Sequence, residues 1–215
     1  MTSFRKVLSL LFLLVYDAEG IQSYAKIYDQ SYFKGYVGTL HSSWNNLKGS
    51  IFEKRVTSAN VSGIWAFFRY PDFNQDKDPL LSFILWGKGA ASGHLGSLAG
   101  SVTSVRLLGG VEDIIPNLRI YDGTYFTGAE KIIFRSTPAM HHQHTSLILK
   151  NCQAWTIYSE INYEGFSVCL LPGERSETCT PWFFFDQEDY RLLSIRSIRK
   201  GCHSSFQVER NKNGL

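Results

Sequence analysis

One spaced pattern occurs four times in this chain: an aromatic residue, a second aromatic five positions later, and glycine two positions after that. Tyr28, Phe33 and Gly35 form the first copy, Tyr121, Phe126 and Gly128 the third, and Tyr158, Tyr163 and Gly165 the fourth. The second copy has Phe68 and Phe73 but carries Gln75 where glycine is expected. Pairs such as Ile27-Tyr28 and Ile120-Tyr121 read as strand ends, and the five-residue step takes the chain around a bend that rings can cover. Glycine suits the position after it because φ > 0 costs little without a Cβ, whereas other residues are strained there by about 1–3 kcal/mol. The copies start 40, 53 and 37 residues apart. They therefore come as two pairs, which predicts two domains of two units.

This pattern resembles the Greek-key motif of the βγ-crystallins, in which the aromatic, aromatic, glycine spacing is followed later by a serine. The corresponding serines are Ser58, Ser104, Ser146 and Ser197. Trp65 and Trp155, each three residues before the first aromatic of an even-numbered copy, also resemble the family. The resemblance runs from about Tyr24 to Cys202. It implies an all-β chain of two Greek-key β-sandwich domains.

The rest of the sequence sets bounds on that reading. Arg5 and Lys6 precede an apolar run from Val7 to Tyr16, and Ala18-Glu19-Gly20 offers small residues to a signal peptidase. Residues 1–20 are thus expected to be a secretory signal, since the run is shorter than the ~20 apolar residues a membrane span needs. The alternative is an N-terminal strand or arm. No later apolar run is long enough for an anchor, so a secreted, extracellular protein is expected. The leader would remove two basic and two acidic residues, leaving 20 and 17 and the same net +3. That charge is mild and scattered, with no stripe that would track nucleic acid.

Residues 21–108 form the expected first domain, 109–117 the linker, 118–203 the second domain and 204–215 a polar tail. Short apolar runs alternate with Gly, Ser, Asn and Asp clusters throughout, as many short antiparallel strands require. Asn60-Val61-Ser62 is an N-glycosylation sequon, read in the connection between the first two motifs. The stretch from Asp76 to Trp86 is longer than the family's hairpin. Ile114 and Ile115 are expected to pack on a domain.

All four cysteines, Cys152, Cys169, Cys179 and Cys202, lie in the second half. In an oxidising compartment an even number favours two disulfides, for which sequence allows three connectivities. Cys152–Cys202 with Cys169–Cys179 is the preferred pairing, because Cys152 and Cys202 each follow a serine-bearing strand. Buried free thiols are the alternative.

Many microbial βγ-crystallins bind Ca²⁺ through six-residue windows of two Asn or Asp, two variable residues, Ser or Thr, and Ser. Here the windows read EKRVTS (53–58), AGSVTS (99–104), HHQHTS (141–146) and LLSIRS (192–197). The fifth-place hydroxyl survives as Thr57, Thr103 and Thr145, but the second place holds Lys54, Gly100, His142 and Leu193. None of these supplies the oxygen a hard cation needs, so calcium binding is expected to be lost or very weak. His142 and His144 would share one side of an extended segment and are the weak candidates for a softer metal. No cofactor is implied. No nucleophile elbow, phosphate loop or metalloprotease spacing is present, and no enzyme is expected.

Two functions remain. One is a secreted structural or protective βγ-crystallin; the other is a secreted binding module, such as a protease inhibitor, a toxin or a subunit of a larger complex. The second would use a protein partner that the sequence does not identify, and a partner-shaped loop within 72–93 would favour it. The expected state is a monomer or a domain-paired dimer, with no nucleic acid and no membrane anchor.

Overall fold

The computed structural model describes residues 22–75, 77, 82–110, 115–141, 144–150, 152–172 and 180–208. The expected signal segment, residues 1–20, lies outside the described residues. Five strands make the first domain: β1 (Tyr24–Tyr28), β2 (Val37–Leu40), β3 (Ser58–Phe68), β4 (Ser82–Ser92) and β5 (Ser104–Gly109). They pair antiparallel in the order β2-β1-β3-β4, and β5 also pairs with β3. β3 and β4 are long enough to serve both motifs: Ser58 to Ser62 pair with β1, and Ile64 to Phe68 pair with β5. Between the two halves stands Gly63, at φ +106°, where a Cβ would lie 2.9 Å from the Gly109 carbonyl oxygen. Only glycine lets the strand bend there. The stretch after Asp76 thus ends in a long strand, β4, that continues across both motifs.

The second domain holds β6 (Asn117–Tyr121), β7 (Glu130–Ile133), β8 (Ser146–Lys150), β9 (Trp155–Tyr158), β10 (Ser167–Leu170), β11 (Trp182–Phe184), the short helix α1 (Gln187–Tyr190), β12 (Ser197–Lys200) and β13 (Gln207–Val208). They form two sheets, β11-β8-β6-β7 and β12-β9-β10-β13. β11, from the fourth motif, joins the sheet of the third, while Thr137 of the third bridges to Ile198 of the fourth. This exchange is the Greek-key crossover, and it ties the two motifs into one sandwich. Asp186 starts α1 by accepting the amides of Glu188 and Asp189, satisfying two of the unpaired donors of the first turn.

Strand periodicity explains where the cores lie. Leu118, Ile120, Leu147 and Leu149 face Trp155, Ile157, Val168, Leu170 and Ile198 inside the second domain. Trp65 and Phe67 enter the first-domain core with Ile27, Val61 and Val105. The alternate residues of the same strands, Ile64, Ala66 and Phe68, do not face solvent. They meet Tyr121, Phe126, Ile148 and Phe183 in a third apolar cluster that joins the domains. Arg106 reinforces this junction, donating from Nη1 to the carbonyls of Phe126 and Gly128 at 2.9 Å each while its guanidinium covers the Phe73 and Tyr121 rings.

Three expectations change. Ile115 is 60% exposed, so it does not pack on a domain; Ile114 lies outside the described residues. The polar tail does not begin at 204, because Gln207 and Val208 pair with Cys169 and Leu170 in parallel and Phe206 packs against the core. The disulfide is Cys169–Cys202, not Cys152–Cys202 with Cys169–Cys179. After β12 the chain crosses the end of β9 and runs along β10, which carries Cys202 to Cys169. Cys152 is also disulfide-bonded, and Cys179 lies outside the described residues.

Candidate functional site

The four aromatic corners and the windows that close them form one repeated local structure. In each copy the two aromatics pack ring on ring, with centroids 5.6 Å apart for Tyr28 and Phe33, 5.9 Å for Phe68 and Phe73, 5.5 Å for Tyr121 and Phe126, and 5.8 Å for Tyr158 and Tyr163. The second aromatic takes a positive φ of 59–67° in every copy, an unusual conformation for a bulky side chain. A serine hydroxyl holds it there. Ser58, Ser104, Ser146 and Ser197 accept the amides of Phe33, Phe73, Phe126 and Tyr163 at 2.9–3.2 Å. The same hydroxyls donate to the carbonyls of Gln30, Tyr70, Gly123 and Glu160 at 2.6–2.7 Å. All four serines are fully buried.

Glycine follows at φ +78°, +73° and +76° in Gly35, Gly128 and Gly165. The second copy solves the bend differently. Asp72, Phe73 and Asn74 all have positive φ, and Gln75 returns to −53°. Buried Asn74 stabilises this bend by accepting the Tyr70 amide through Oδ1 at 2.8 Å. Gln75 therefore replaces glycine without strain.

In the first domain the windows face one another: the Lys54 amide donates to Val102 O and the Gly100 amide to Val56 O. Both second-place residues have positive φ. The window side chains do not suit calcium. Lys54 brings an exposed cation, Gly100 brings no donor, and Leu193 is 81% exposed. Fifth-place hydroxyls are already engaged: Thr57 Oγ1 donates to Asp29 O, Thr103 to Arg69 O and Thr145 to Asp122 O. Glu53, the one acidic first-place residue, accepts the Gly49 amide within its own loop. Calcium affinity rises with the number of anionic oxygens, and among the described window residues Glu53 supplies the one carboxylate.

His142 lies outside the described residues, so its convergence with His144 stays an expectation from the sequence. His144 is buried, with Nδ1 2.8 Å from Asp122 Oδ1, and its carbonyl accepts the Tyr190 hydroxyl. It serves the third corner and does not face an open site. Asn60 lies inside β3, not in a connection, with Nδ2 donating to Gly89 O and Oδ1 accepting from Tyr24. Among the described residues no three His, Cys, Asp or Glu side chains come together as metal ligands. Sequence reasoning missed the Tyr121, Glu130 and Arg119 network, in which Glu130 Oε1 accepts from Tyr121 at 2.9 Å and from Arg119 at 2.6 Å. Burial, then the Glu130 charge, raises the Tyr121 pKa well above that of an ordinary tyrosine.

No family model matches the chain, and no curated protein matches it. Solved structures do. The chain is similar to Geodin, a βγ-crystallin from Geodia cydonium, with TM-score 0.59 and 18% identity over 83% of this chain and 99% of that one. A βγ-crystallin from Ciona intestinalis gives TM-score 0.34 and 22% identity over 39% of this chain and 98% of that one. Protein S complexed with calcium gives TM-score 0.34 and 14% identity over 83% of this chain and 99% of that one. The architecture is that of a two-domain βγ-crystallin with four Greek-key motifs.

Proposed function

We propose that this chain is a secreted, non-enzymatic βγ-crystallin with a structural or protective role outside the cell, stable without calcium. One observation carries the reading: the first-domain windows, which face one another, present Lys54 and Gly100 at their second places, and the fourth window presents Leu193. The threonine hydroxyls of the first three windows donate to carbonyls of the neighbouring corners. A protein built this way draws stability from packing, serine-closed corners and disulfides, and has no ion to lose as conditions change. The test is a melting curve with and without 1 mM Ca²⁺ on material recovered from the secretory route. An unchanged melting temperature supports the reading, and a rise of several degrees overturns it. Intact mass tests the secreted route: a chain beginning near Ile21 supports it, and a retained Met1 overturns it.

A second reading, a secreted binding module, is favoured by the rings around the first corner. Tyr32 is 74% exposed and Tyr36 64%, rings of the kind that protein interfaces are enriched in. The 72–93 segment offers no such loop among its described residues, because most of them lie in the Asp72 turn and β4. Pull-down from the native fluid with the Tyr32→Ser variant as control separates the readings: a partner retained by the native chain and lost by the variant favours the module.

A further inference from the structure

We propose that the Cys169–Cys202 disulfide is a redox latch on a C-terminal strap, and that its reduction by a dithiol frees residues 203–208 and opens the edge of β10. After β12 the chain turns at Gly201, whose carbonyl accepts Thr156 Oγ1 at 2.7 Å, and the same Thr156 oxygen accepts the His203 amide at 2.8 Å. The strap then runs parallel to β10. Ser204 Oγ donates to Ser167 O at 2.7 Å, the Cys169 amide to Phe206 O at 2.8 Å and the Leu171 amide to Val208 O at 3.2 Å. Phe206 covers Phe166 at a centroid distance of 5.7 Å, while His203, Ser205 and Gln207 are exposed.

Phe206 and Val208 also pack against the second-domain core, whereas His203, Ser205 and Gln207 stay exposed. Each of the six residues loses backbone freedom on docking, whereas a hydrogen bond exchanged with water returns little net stability. The crosslink supplies the difference by keeping the strap beside its groove at high effective concentration. The fold does not need the strap. In the first motif the equivalent strand, β2, is the edge of its sheet and carries no fifth strand. Leaving β10 bare would restore the same arrangement in the second domain.

The latch is open to reagent from one side. Cys202 is exposed and Cys169 is fully buried, so an incoming thiolate attacks Cys202 Sγ. The S–S bond breaks, the Cys169 sulfur leaves as thiolate and takes a proton, and a mixed disulfide forms at Cys202. The second thiol of the dithiol then displaces Cys202 as a thiol. The protein disulfide gains the two electrons that the dithiol loses. Opened β10 exposes the amides of Cys169 and Leu171 to solvent.

Amide hydrogen exchange on the full mature chain tests this, comparing the oxidised protein, the dithiol-treated protein and the Cys169→Ala/Cys202→Ser double variant. The double variant removes only this crosslink and leaves that of Cys152 in place. Exchange at position 169 and at Leu171 is expected to accelerate at least ~10-fold in both opened forms, with Ile157 of the neighbouring β9 unchanged, as local release requires. Unchanged protection at 169 and 171 in the double variant would mean that the strap stays docked without the bond. Loss of protection across β9 and β12 as well would make the bond a staple of the whole domain. Either result overturns the latch.

Discussion

Replacing Ser146 by alanine removes the hydroxyl that closes the third corner, and the structure sets the size of the effect. Its oxygen accepts the Phe126 amide at 2.9 Å and donates to Gly123 O at 2.6 Å. Two hydrogen bonds at about 1 kcal/mol net are lost, and the freed groups add a desolvation penalty of about 1–3 kcal/mol if water cannot reach them. Phe126 is fully buried against the first domain, so its amide stays dry. Ser146→Ala should therefore cost about 3–5 kcal/mol. Ser58→Ala is the internal control. It breaks the same two bonds, but Phe33 is 41% exposed, and water can replace the hydroxyl there. Its cost should be nearer 1–2 kcal/mol. Urea unfolding at constant m value measures both. Equal losses, or a loss below about 1 kcal/mol for Ser146→Ala, would refute the claim that a buried serine holds the strained aromatic in place.

Other outcomes follow from the same geometry. Gln75→Gly, which restores the repeat pattern, should not stabilise the protein: Gln75 has φ −53°, and glycine there adds about 0.5–1 kcal/mol of unfolded-state entropy, readable in the same urea titration. Gly128→Ala should cost about 1–3 kcal/mol because φ is +73° and the new Cβ would lie 3.1 Å from the Gly123 nitrogen; a neutral result would break the alignment of the corners. Arg106→Ala should split a single calorimetric transition into two, since it removes both hydrogen bonds to the second domain; one unchanged transition would show that the apolar cluster alone couples the domains. Burial raises the pKa values of Tyr121 and Tyr190 above the ordinary 10.0. Below pH 10 both states keep these protons, and above it only the unfolded chain loses them, so stability should fall by about 1.4 kcal/mol per pH unit for each tyrosine. Tyr190→Phe should reduce that slope, and an unchanged slope would count against its buried hydroxyl.

The corners were legible because each of four copies needs the same residue types for the same reason: two rings to cover a bend, a hydroxyl to close it and usually glycine to leave it. Gln75 was a departure in sequence that the structure compensates through a positive φ at Asn74 and the Tyr70 amide donated to Asn74 Oδ1, neither of which the repeat pattern names. The junction between domains was harder to read. Its signal was present in the unbroken apolar run from Ile64 to Phe68 and in Phe183-Phe184-Phe185, runs typical of strands buried on both faces. What covers the second face depends on the partner domain, which no local pattern names. Disulfide pairing failed for a related reason. Four cysteines fix only a short set of connectivities, and the choice was made by the path of residues 201–208 over β9. The windows gave the converse case: the loss of side-chain oxygens was visible in sequence, whereas the engagement of Thr57, Thr103 and Thr145 with neighbouring carbonyls appeared only in three dimensions.

Isothermal titration of the mature, oxidised protein with Ca²⁺ tests the central claim most directly, because calcium would separate a metal-stabilised crystallin from one held by its own packing. With Lys54, Gly100 and Leu193 at the second places, no saturable binding is expected below the millimolar range. Stabilisation at concentrations below Kd should accordingly stay under about 0.4 kcal/mol. A micromolar, saturable site that also raised the melting temperature would contradict the account.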